Sequence, residues 1–257
     1  MDLQIADRVA LVCSSTAGLG LASAKALAAE GCFVVVTGRR GDFAQQIAGE
    51  LGNAMALTVD LSERGAADAL VDAVLAEKGR IDILVLNGPG PVPSAAADLD
   101  ADALHDAISL LADNQVQLVR RTLPGMRERG WGRIVSVGSS GVVAPIPNLA
   151  ASNFGRAALA GYLKTLSNEV AADGVTVNMV LPGRIATDRV ASLDEKAAER
   201  TGRDVADVRA ASEGAIPTRR YGRPEEFGAV VAFLCGNQAS YVTGSTVRCD
   251  GGLIPTT

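Results

Sequence analysis

The amino-acid sequence predicts a single α/β domain, built on a doubly wound parallel sheet of seven strands with helices on both faces. Short β-branched runs alternate with Ala- and Leu-rich helical patterns from one end of the chain to the other, which is typical of repeated βαβ units. The chain has 257 residues, enough for one large core and few for two, and no linker divides it. We therefore predict that residues 1–257 form one domain.

Seven strand-like segments are spaced along the chain. They lie at residues 8–13, 33–37, 55–59, 81–86, 133–137, 176–181 and 246–248. The clearest helix precedes the sixth strand, because Leu159, Leu163, Leu166 and Val170 recur every three or four residues and form one apolar stripe.

Residues 188–220 differ in character from the rest of the chain. They are charged, carry no strand pattern and are predicted to form two short helices. An insertion after the carboxyl end of a strand is where a doubly wound fold places a substrate lid. Five arginines in or next to this segment would suit a carboxylate or phosphate substrate, although such arginines are usually only solvated: Arg184, Arg189, Arg200, Arg203 and Arg209.

Composition and charge argue against several classes of function. The net charge is -5, from 24 basic and 29 acidic residues, and no Lys/Arg run exceeds a pair, which argues against nucleic acid as a partner. The apolar runs are strand-sized, far below the roughly 20 residues that span a bilayer. The acidic start, residues 1–7, has none of the features of a signal peptide. We expect a cytoplasmic protein that binds neither nucleic acid nor membrane.

Cysteine and histidine usage predicts no metal site. The four cysteines, Cys13, Cys32, Cys235 and Cys249, lie far apart in apolar segments without CxxC spacing, so they are expected to be buried reduced thiols. The one histidine, His105, is too few for zinc chemistry and is expected on a helix surface.

A glycine-rich turn follows the first strand directly and leads into a helix predicted over residues 21–30. The turn reads Cys13-Ser14-Ser15-Thr16-Ala17-Gly18-Leu19-Gly20. Glycines at such a turn let a diphosphate approach the backbone and lie on the helix N-terminus, where free N–H groups and the helix dipole favour negative charge. The alternative is that two glycines only close a tight turn.

Motifs further along the chain extend this pattern. They are Asp60-Leu61, Ile81-Asp82-Ile83-Leu84-Val85, Gly132-Arg133-Ile134-Val135, Val175-Thr176-Val177-Asn178, Pro182-Gly183 with Thr187, Gly222-Arg223-Pro224-Glu225-Glu226, Val242-Thr243-Gly244 and Asp250-Gly251-Gly252. With them the chain resembles the short-chain dehydrogenase/reductase family over nearly its whole length, especially the carrier-protein ketoreductase-like members, which implies a Rossmann-type fold. In the family turn, Thr-Gly-x-x-x-Gly-x-Gly, Gly18 and Gly20 match, whereas Cys13 and Ser14 replace the threonine and the first glycine.

The resemblance implies a dinucleotide site at the carboxyl ends of the strands. Its residues are Ser14, Gly18, Leu19, Gly20, Arg39, Arg40, Asp60, Leu61, Asn87, Gly88, Arg156, Pro182, Gly183, Ile185 and Thr187. Among these, Asp60 and Leu61 would lie at the adenine, and Asn87 and Gly88 at the adenosine ribose. The side chain of Ser14 and a proline in the loop after strand four depart from the family pattern, so a protein that binds no cofactor is the alternative.

The end of strand two favours NADP over NAD. An acidic residue there would accept hydrogen bonds from the ribose 2′-hydroxyl, and Gly38 cannot do so. Arg39 or Arg40 could instead pair with a 2′-phosphate, or both could be solvated turn residues.

Other residues occupy the family's catalytic positions. Family reductases use a tyrosine as acid/base, a lysine four residues later, a serine thirteen residues before the tyrosine and an asparagine in the preceding long helix. An ungapped alignment places the tyrosine, lysine and serine positions at Ser152, Arg156 and Ser139. Counting back from Leu123-Pro124 places the asparagine position at Leu111, with Asn114 one turn along the same helix. A serine hydroxyl is shorter and far less acidic than a phenol, and an arginine keeps its charge but cannot relay protons. We predict Ser139, Ser152 and Arg156 as the catalytic residues of an atypical site.

Three functions remain open from these residues. The first is an NADP(H)-linked oxidoreductase acting on a carbonyl or alcohol, in which Ser139 with Arg156, or an ordered water, replaces the tyrosine. The second is a non-redox isomerase, lyase or cyclase that uses Ser139, Ser152 and Arg156 as an oxyanion site. The third is a binding or scaffold protein without activity. The resemblance favours the first, with a small molecule as substrate.

A homo-oligomer, either a homotetramer or a homodimer, is also expected. Ala157, Ala160 and Gly161 form a small-residue side of the helix before strand six, which would permit close packing against another subunit. The family-like C-terminal strand would supply a second surface.

Overall fold

The protein, described here over residues 1–256 of a computed structural model, contains one parallel sheet in the order β3-β2-β1-β4-β5-β6-β7. Its strands are β1 (Val9–Val12), β2 (Phe33–Gly38), β3 (Ala54–Thr58), β4 (Ile83–Leu86), β5 (Gly132–Val137), β6 (Val175–Pro182) and β7 (Thr246–Cys249). All six strand pairings are parallel. The predicted doubly wound, seven-stranded α/β fold is therefore confirmed.

Helices cover both faces of the sheet. In the part of the chain that the structure describes they are α1 (Gly18–Ala29), α2 (Gly41–Leu51), α3 (Ala66–Lys78), α4 (Ala101–Ile108), α5 (Asn114–Glu128), α6 (Ala150–Val170), α7 (Asp188–Thr201), α8 (Val205–Ala215) and α9 (Pro224–Cys235). One core lies under α1, α2 and α9, and the other lies under α3, α5 and α6. Both cores are mainly aliphatic, as the low aromatic content of the sequence indicates.

The predicted apolar stripe lies on α6. Leu159, Leu163, Leu166 and Val170 are all buried against the sheet. On the small-residue side of the helix, Ala157 and Gly161 are exposed in the single chain, with open space around Gly161, whereas Ala160 is partly buried against the core.

Two predicted boundaries differ from the structure. Helix α1 begins at Gly18, not at residue 21, so the last glycines of the turn already belong to the helix. Strand β4 begins at Ile83, not at residue 81, because the fully buried Asp82 accepts the Val9 N–H at its carboxylate (3.0 Å) and pairs with Arg80 (2.6 Å). Buried carboxylates need such partners, which a strand pattern read from the sequence does not supply.

The strand order reverses between β1 and β4, and the loops that follow these two strands both contribute to the site. At a reversal of this kind the loops at the carboxyl ends of the strands separate and leave a crevice. Helices α7 and α8 follow β6 at this same end, so the two predicted helices of 188–220 are confirmed. No helix within residues 1–256 has the length and hydropathy needed to cross a membrane.

Candidate active site

A cleft of about 1200 Å³ opens at the carboxyl ends of the strands. Loops that follow β1, β2, β3, β4, β5 and β6 line it, together with α6 and α7. The structure brings together in this cleft nearly all the residues that the sequence predicts for the site. They are Ser14, Gly18, Leu19, Arg39, Arg40, Asp60, Leu61, Asn87, Gly88, Ser139, Ser152, Arg156, Pro182, Gly183, Ile185 and Thr187. Gly20 is the exception, since it lies buried behind the turn.

Gly20 shapes the turn instead of lining the cleft. A Cβ at this position would lie 2.3 Å from the Ser14 carbonyl oxygen and 2.7 Å from Asn87 Nδ2, so only glycine fits. Asn87 Nδ2 donates to the same Ser14 carbonyl (3.2 Å), which joins the end of β4 to the turn after β1. Ser14 itself has φ +48°, the left-handed region in which the family pattern has a glycine. At the position of the family glycine, the turn therefore holds a serine in a strained left-handed conformation.

The N-terminus of α1 is open to an anion. Its N-cap residue, Ala17, makes no side-chain hydrogen bond, and the first turn contains no acidic residue. The first N–H groups of a helix lack partners within the helix, and the helix dipole places positive charge there. This arrangement fits the diphosphate of a dinucleotide.

The two arginines after β2 occupy different environments. Arg40 stacks on the Phe43 ring, 4.4 Å from its centroid, and its Nη2 donates to the Thr16 carbonyl at 3.5 Å. Arg39 is 72% exposed and lies 3.9 Å from the Asp60 carboxylate. The Ser62 hydroxyl and N–H lower the pKa of Asp60 by donating hydrogen bonds to it. Arg40 is thus held in place, whereas Arg39 is loosely paired.

Thr16 is a cleft residue that the sequence analysis missed. A Cβ on Gly38 would lie 2.7 Å from Thr16 Cγ2, so the missing side chain at Gly38 makes room for Thr16. Thr16 therefore lies beside the two arginines. The signal in the sequence was the glycine at the end of β2, but only the structure shows which residue fills the space.

Arg156 is bound to the end of β5. Its Nη1 donates to the carbonyl oxygens of Val137 (3.0 Å) and Gly138 (3.2 Å), and its Nε donates to Ser152 Oγ (3.4 Å). Burial, with a smaller contribution from the charge of Arg189, lowers the pKa of Arg156 to about 10. This value is well above neutral pH, so Arg156 is a cation there.

Ser139 has two roles at the end of β5. Its Oγ accepts the Gly141 N–H at 3.1 Å and caps a short 3-10 turn, Ser140–Val142. The same side chain lines the cleft. The side chain of Asn153 is satisfied nearby, because its Oδ1 accepts the Ile146 N–H (3.3 Å) and its Nδ2 donates to the Ile146 carbonyl (2.9 Å).

No tyrosine of residues 1–256 lines the cleft. Tyr162 is half-buried in the core packing of α6, where burial raises its pKa. Tyr221 donates its hydroxyl to Asp194 at 2.9 Å, and Tyr241 is fully exposed. No residue therefore brings a phenol to the place that the family fills with tyrosine.

Leu111 and Asn114 lie where the long helix is interrupted. A π-helical segment, Ser109–Asp113, separates α4 from α5, and Leu111 is buried there against Gly155 of α6. Asn114 begins α5 and is buried, and its Nδ2 has no hydrogen-bond partner among the described residues. A side-chain amide in that position needs a partner from outside the chain.

Helix α7 is anchored by one buried carboxylate. Asp194 is 3% exposed and binds Arg184 (2.8 Å) and the Tyr221 hydroxyl. Of the five predicted arginines, Arg184, Arg189 and Arg200 line the cleft, together with Lys196, which the sequence analysis did not single out. The other two do not, because Arg203 donates to the Asp207 carbonyl (3.2 Å) and Arg209 pairs with Glu213 (3.0 Å) on α8.

The remaining residue predictions concern cysteine and histidine. Cys13, Cys32 and Cys235 are buried free thiols, and burial raises the pKa of Cys13 to about 12. Cys249 is only half-buried. His105 is exposed on α4, and residues 1–256 contain no cluster of side chains suited to a metal ion.

Comparison with known proteins places this chain among reductases. A family model described as enoyl-(acyl carrier protein) reductase matches residues 13–254. The chain is 31% identical to the 3-oxoacyl-[acyl-carrier-protein] reductase FabG of Salmonella typhimurium, over 96% of this chain and 97% of that protein. It is 32% identical to dehydrogenase/reductase SDR family member 4 of Homo sapiens, over 96% of this chain and 88% of that protein. The structure of L-sorbose reductase from Gluconobacter frateurii, complexed with NADPH and L-sorbose, is 30% identical, with a TM-score of 0.94 over 100% of both chains.

Proposed function

We propose that this chain, which belongs to the short-chain dehydrogenase/reductase family, binds NADP(H) in the cleft and interconverts a carbonyl and an alcohol on a small molecule. The observation that carries this proposal is the joining, in one cleft, of an uncapped helix N-terminus, two arginines after β2 and two serine hydroxyls. The NADPH complex of L-sorbose reductase supports the choice of cofactor. When bound, NADPH supplies the hydride.

The residues that would hold the cofactor fit its charges. Gly18 and Leu19 begin α1 and line the cleft, so their N–H groups would receive the diphosphate. Arg39 and Arg40 would receive a 2′-phosphate, with Thr16 beside them. Thr187 lies opposite the turn, with Cγ2 3.8 Å from the place of a Cβ on Gly18.

Ser139 and Ser152 are suited to bind the oxygen of the reacting carbonyl. Each hydroxyl oxygen already accepts a hydrogen bond, from the Gly141 N–H and from Arg156 Nε, respectively. Each hydroxyl proton is then left to donate toward the cleft. Two such donors next to the Arg156 cation would stabilise the negative charge that develops on oxygen during reduction.

The proton in this scheme comes from water. A serine hydroxyl is a weak acid, and Arg156 stays charged at neutral pH, so neither delivers a proton as a phenol does. We therefore expect stabilisation of the oxyanion to be retained and general acid catalysis to be lost. Reduction of ordinary ketones is then slow.

A cofactor titration tests the proposal on the natural chain. Nicotinamide fluorescence of NADPH is expected to change saturably with protein concentration, and slow loss of NADPH absorbance is expected when a ketone is added. Adenosine 2′-phosphate should reverse the fluorescence change, because it would occupy the site at Arg39 and Arg40. Absence of binding at millimolar NADPH would exclude the proposed function.

The setting and assembly complete the proposal. A cytoplasmic location suits a cofactor and thiols that both need a reducing compartment. A homotetramer or homodimer would use the exposed side of α6 around Gly161, and the free edge of β7, which pairs only with β6 in the single chain. Such an edge carries unpaired backbone groups that a second subunit can cover.

Sedimentation at micromolar concentration is expected to give a species larger than one chain. Gly161→Arg places a long charged side chain on the exposed face of α6 and should reduce the assembled fraction. Thr165→Arg places the same side chain one turn further along this exposed surface. Loss of assembly in Gly161→Arg alone would indicate a local contact at Gly161, and equal loss in both variants would indicate a general effect of the added charge. A stable monomer of the natural chain contradicts the assembly.

A further inference from the structure

The substrate side of the cleft carries unbalanced positive charge. Arg156, Arg189, Lys196 and Arg200 line it, and none of them pairs with a carboxylate of residues 1–256. The acidic residues of the cleft lining are Asp60, which lies at the far end beside Arg39, and Asp188. The chain as a whole has a net charge of -5, so this local excess runs against the overall balance.

Arg189 stands where a cation destabilises its own helix. It is the second residue of α7, two positions after the N-cap Thr187. The helix dipole makes this end positive, so a basic residue there is unfavourable for the helix. Asp188 is adjacent in sequence, and neighbours i and i+1 on a helix do not face each other. The positive potentials of the helix end and of Arg189 add, and the Asp188 carboxylate in the same turn offsets only part of them.

The Arg189 side chain reaches from α7 to the opposite wall of the cleft. Its Nη2 would lie only 3.0 Å from a Cβ on Gly90, which belongs to the loop after β4. It is also near enough for its charge to lower the pKa of Arg156. Two guanidinium groups thus face one cleft, and their repulsion is relieved when an anion lies between them.

The remaining cleft-facing residues of α7 define the rest of the ligand. Leu193 lies between Arg189 and Lys196 along the helix, and Ile146 and Leu149 line the wall formed by the loop before α6. An apolar group next to an anionic group matches this surface.

We propose that the substrate carries an oxyanion group, a carboxylate or a phosphate, that binds between Arg156 and Arg189, with its apolar part against Leu193. Lys196 and Arg200 extend the positive field toward the cleft mouth and attract such a substrate. The inference rests on the proposed function, since the anionic group belongs to the carbonyl compound that is reduced.

Calorimetric titration of a matched pair of ligands tests this inference. The probes are 2-oxo-4-phenylbutanoate and its ethyl ester, which differ in charge and share the ketone and the phenyl group. Each is titrated into the cofactor-free protein and into the protein saturated with NADP⁺. The acid is expected to bind at least about tenfold more tightly than the ester, because a charge-assisted contact to guanidinium is lost in the ester.

Three variants locate the effect. Arg189→Gln should bring the two affinities to within about twofold of each other. Gly90→Ala keeps the charge but displaces the Arg189 guanidinium through the 3.0 Å contact, so it should reduce the preference for the acid as well. Arg203→Gln removes a charge from the same lid outside the cleft and should keep the preference.

Competition by acetate and by inorganic phosphate distinguishes a carboxylate substrate from a phosphate substrate. Acetate as the stronger competitor against the oxo acid assigns a carboxylate substrate, and inorganic phosphate as the stronger competitor assigns a phosphate monoester. Equal affinities of acid and ester for the natural chain overturn the inference. It is also overturned if Arg189→Gln weakens NADP⁺ binding and leaves the acid-to-ester ratio unchanged, because Arg189 would then serve the cofactor. Failure to bind NADP⁺ alone contradicts the proposed function, while the cofactor-free titration still decides the anion site.

Discussion

Ser152→Tyr combined with Arg156→Lys is expected to raise the rate of ketone reduction by about 10²- to 10⁴-fold, the usual contribution of general acid catalysis. This range corresponds to roughly 3 to 5 kcal/mol of transition-state stabilisation. Ser152 lines a cleft of about 1200 Å³, so a phenol at this position has space to extend toward the substrate. The new lysine would carry the positive charge that lowers the pKa of a neighbouring phenol.

Saturating NADPH and a panel of ketones are the conditions for this measurement, with the loss of NADPH absorbance as the readout. The matched control is Ser152→Phe combined with Arg156→Lys, which has the size of the tyrosine variant and no hydroxyl. It should remain as slow as the natural chain. A gain in the phenylalanine control equal to that in the tyrosine variant would mean that the proton does not come from the phenol. Ordinary family rates in the natural chain would mean that another donor is already present.

Leu111 should keep the recovered rate toward the lower end of this range. The family position holds an asparagine, whereas Leu111 is 4% exposed and fills the space beside Gly155. Tyrosine and lysine therefore return without the third polar residue. Asn114, three residues later, leaves its Nδ2 without a partner in the described chain and is too far along the helix to be the same group.

The fold was predictable from the sequence because its signals are local and periodic. The apolar residues from Leu159 to Val170 recur every three or four positions, and this pattern predicts a helix with one buried face. The structure buries all four of these side chains. The strands could also be predicted locally, because strands that are covered on both faces read as continuous apolar segments. Asp82 interrupted one run, and two of the arginines that pair with it, Arg8 and Arg129, lie at positions that no local pattern connects to it.

The residues of the cleft were predictable as positions, but their partners were not. Alignment predicted that Ser139, Ser152 and Arg156 share a site that faces the carboxyl ends of the strands, and all three line the cleft there. It did not indicate that Arg156 is bound to the carbonyl groups at the end of β5, or that Arg189 reaches Gly90. These contacts join segments tens of residues apart, and their distances are set by the packing of the whole sheet.

Replacing Arg39 and Arg40 together by alanine is expected to reduce the preference for NADPH over NADH by about 10- to 100-fold. Hydrogen bonds to charged groups contribute about 1.5–3 kcal/mol, and because both side chains are exposed and screened by salt, we expect a total in this range for the two arginines together. Only NADPH carries the 2′-phosphate that these side chains would contact. The affinity for NADH should therefore change little.

The two arginines should contribute unequally. Arg40 is held by Phe43 and by the Thr16 carbonyl, so it loses little freedom on binding a phosphate. Arg39 must leave Asp60, with which it is loosely paired at 3.9 Å. We therefore expect Arg40→Ala to have a larger effect than Arg39→Ala, and Phe43→Leu, which removes the stacking, to reproduce part of the Arg40→Ala effect.

Fluorescence titration with both cofactors, at two salt concentrations, measures these effects. The preference for NADPH should be smaller at the higher salt concentration, because exposed charges are screened. Arg209→Ala removes an exposed arginine on α8 that is paired with Glu213 outside the cleft, and it should leave the preference unchanged. Parallel losses of NADPH and NADH affinity in the double variant would show that the arginines attract any anionic cofactor. The preference would then have to come from Thr16, the remaining polar side chain beside Gly38.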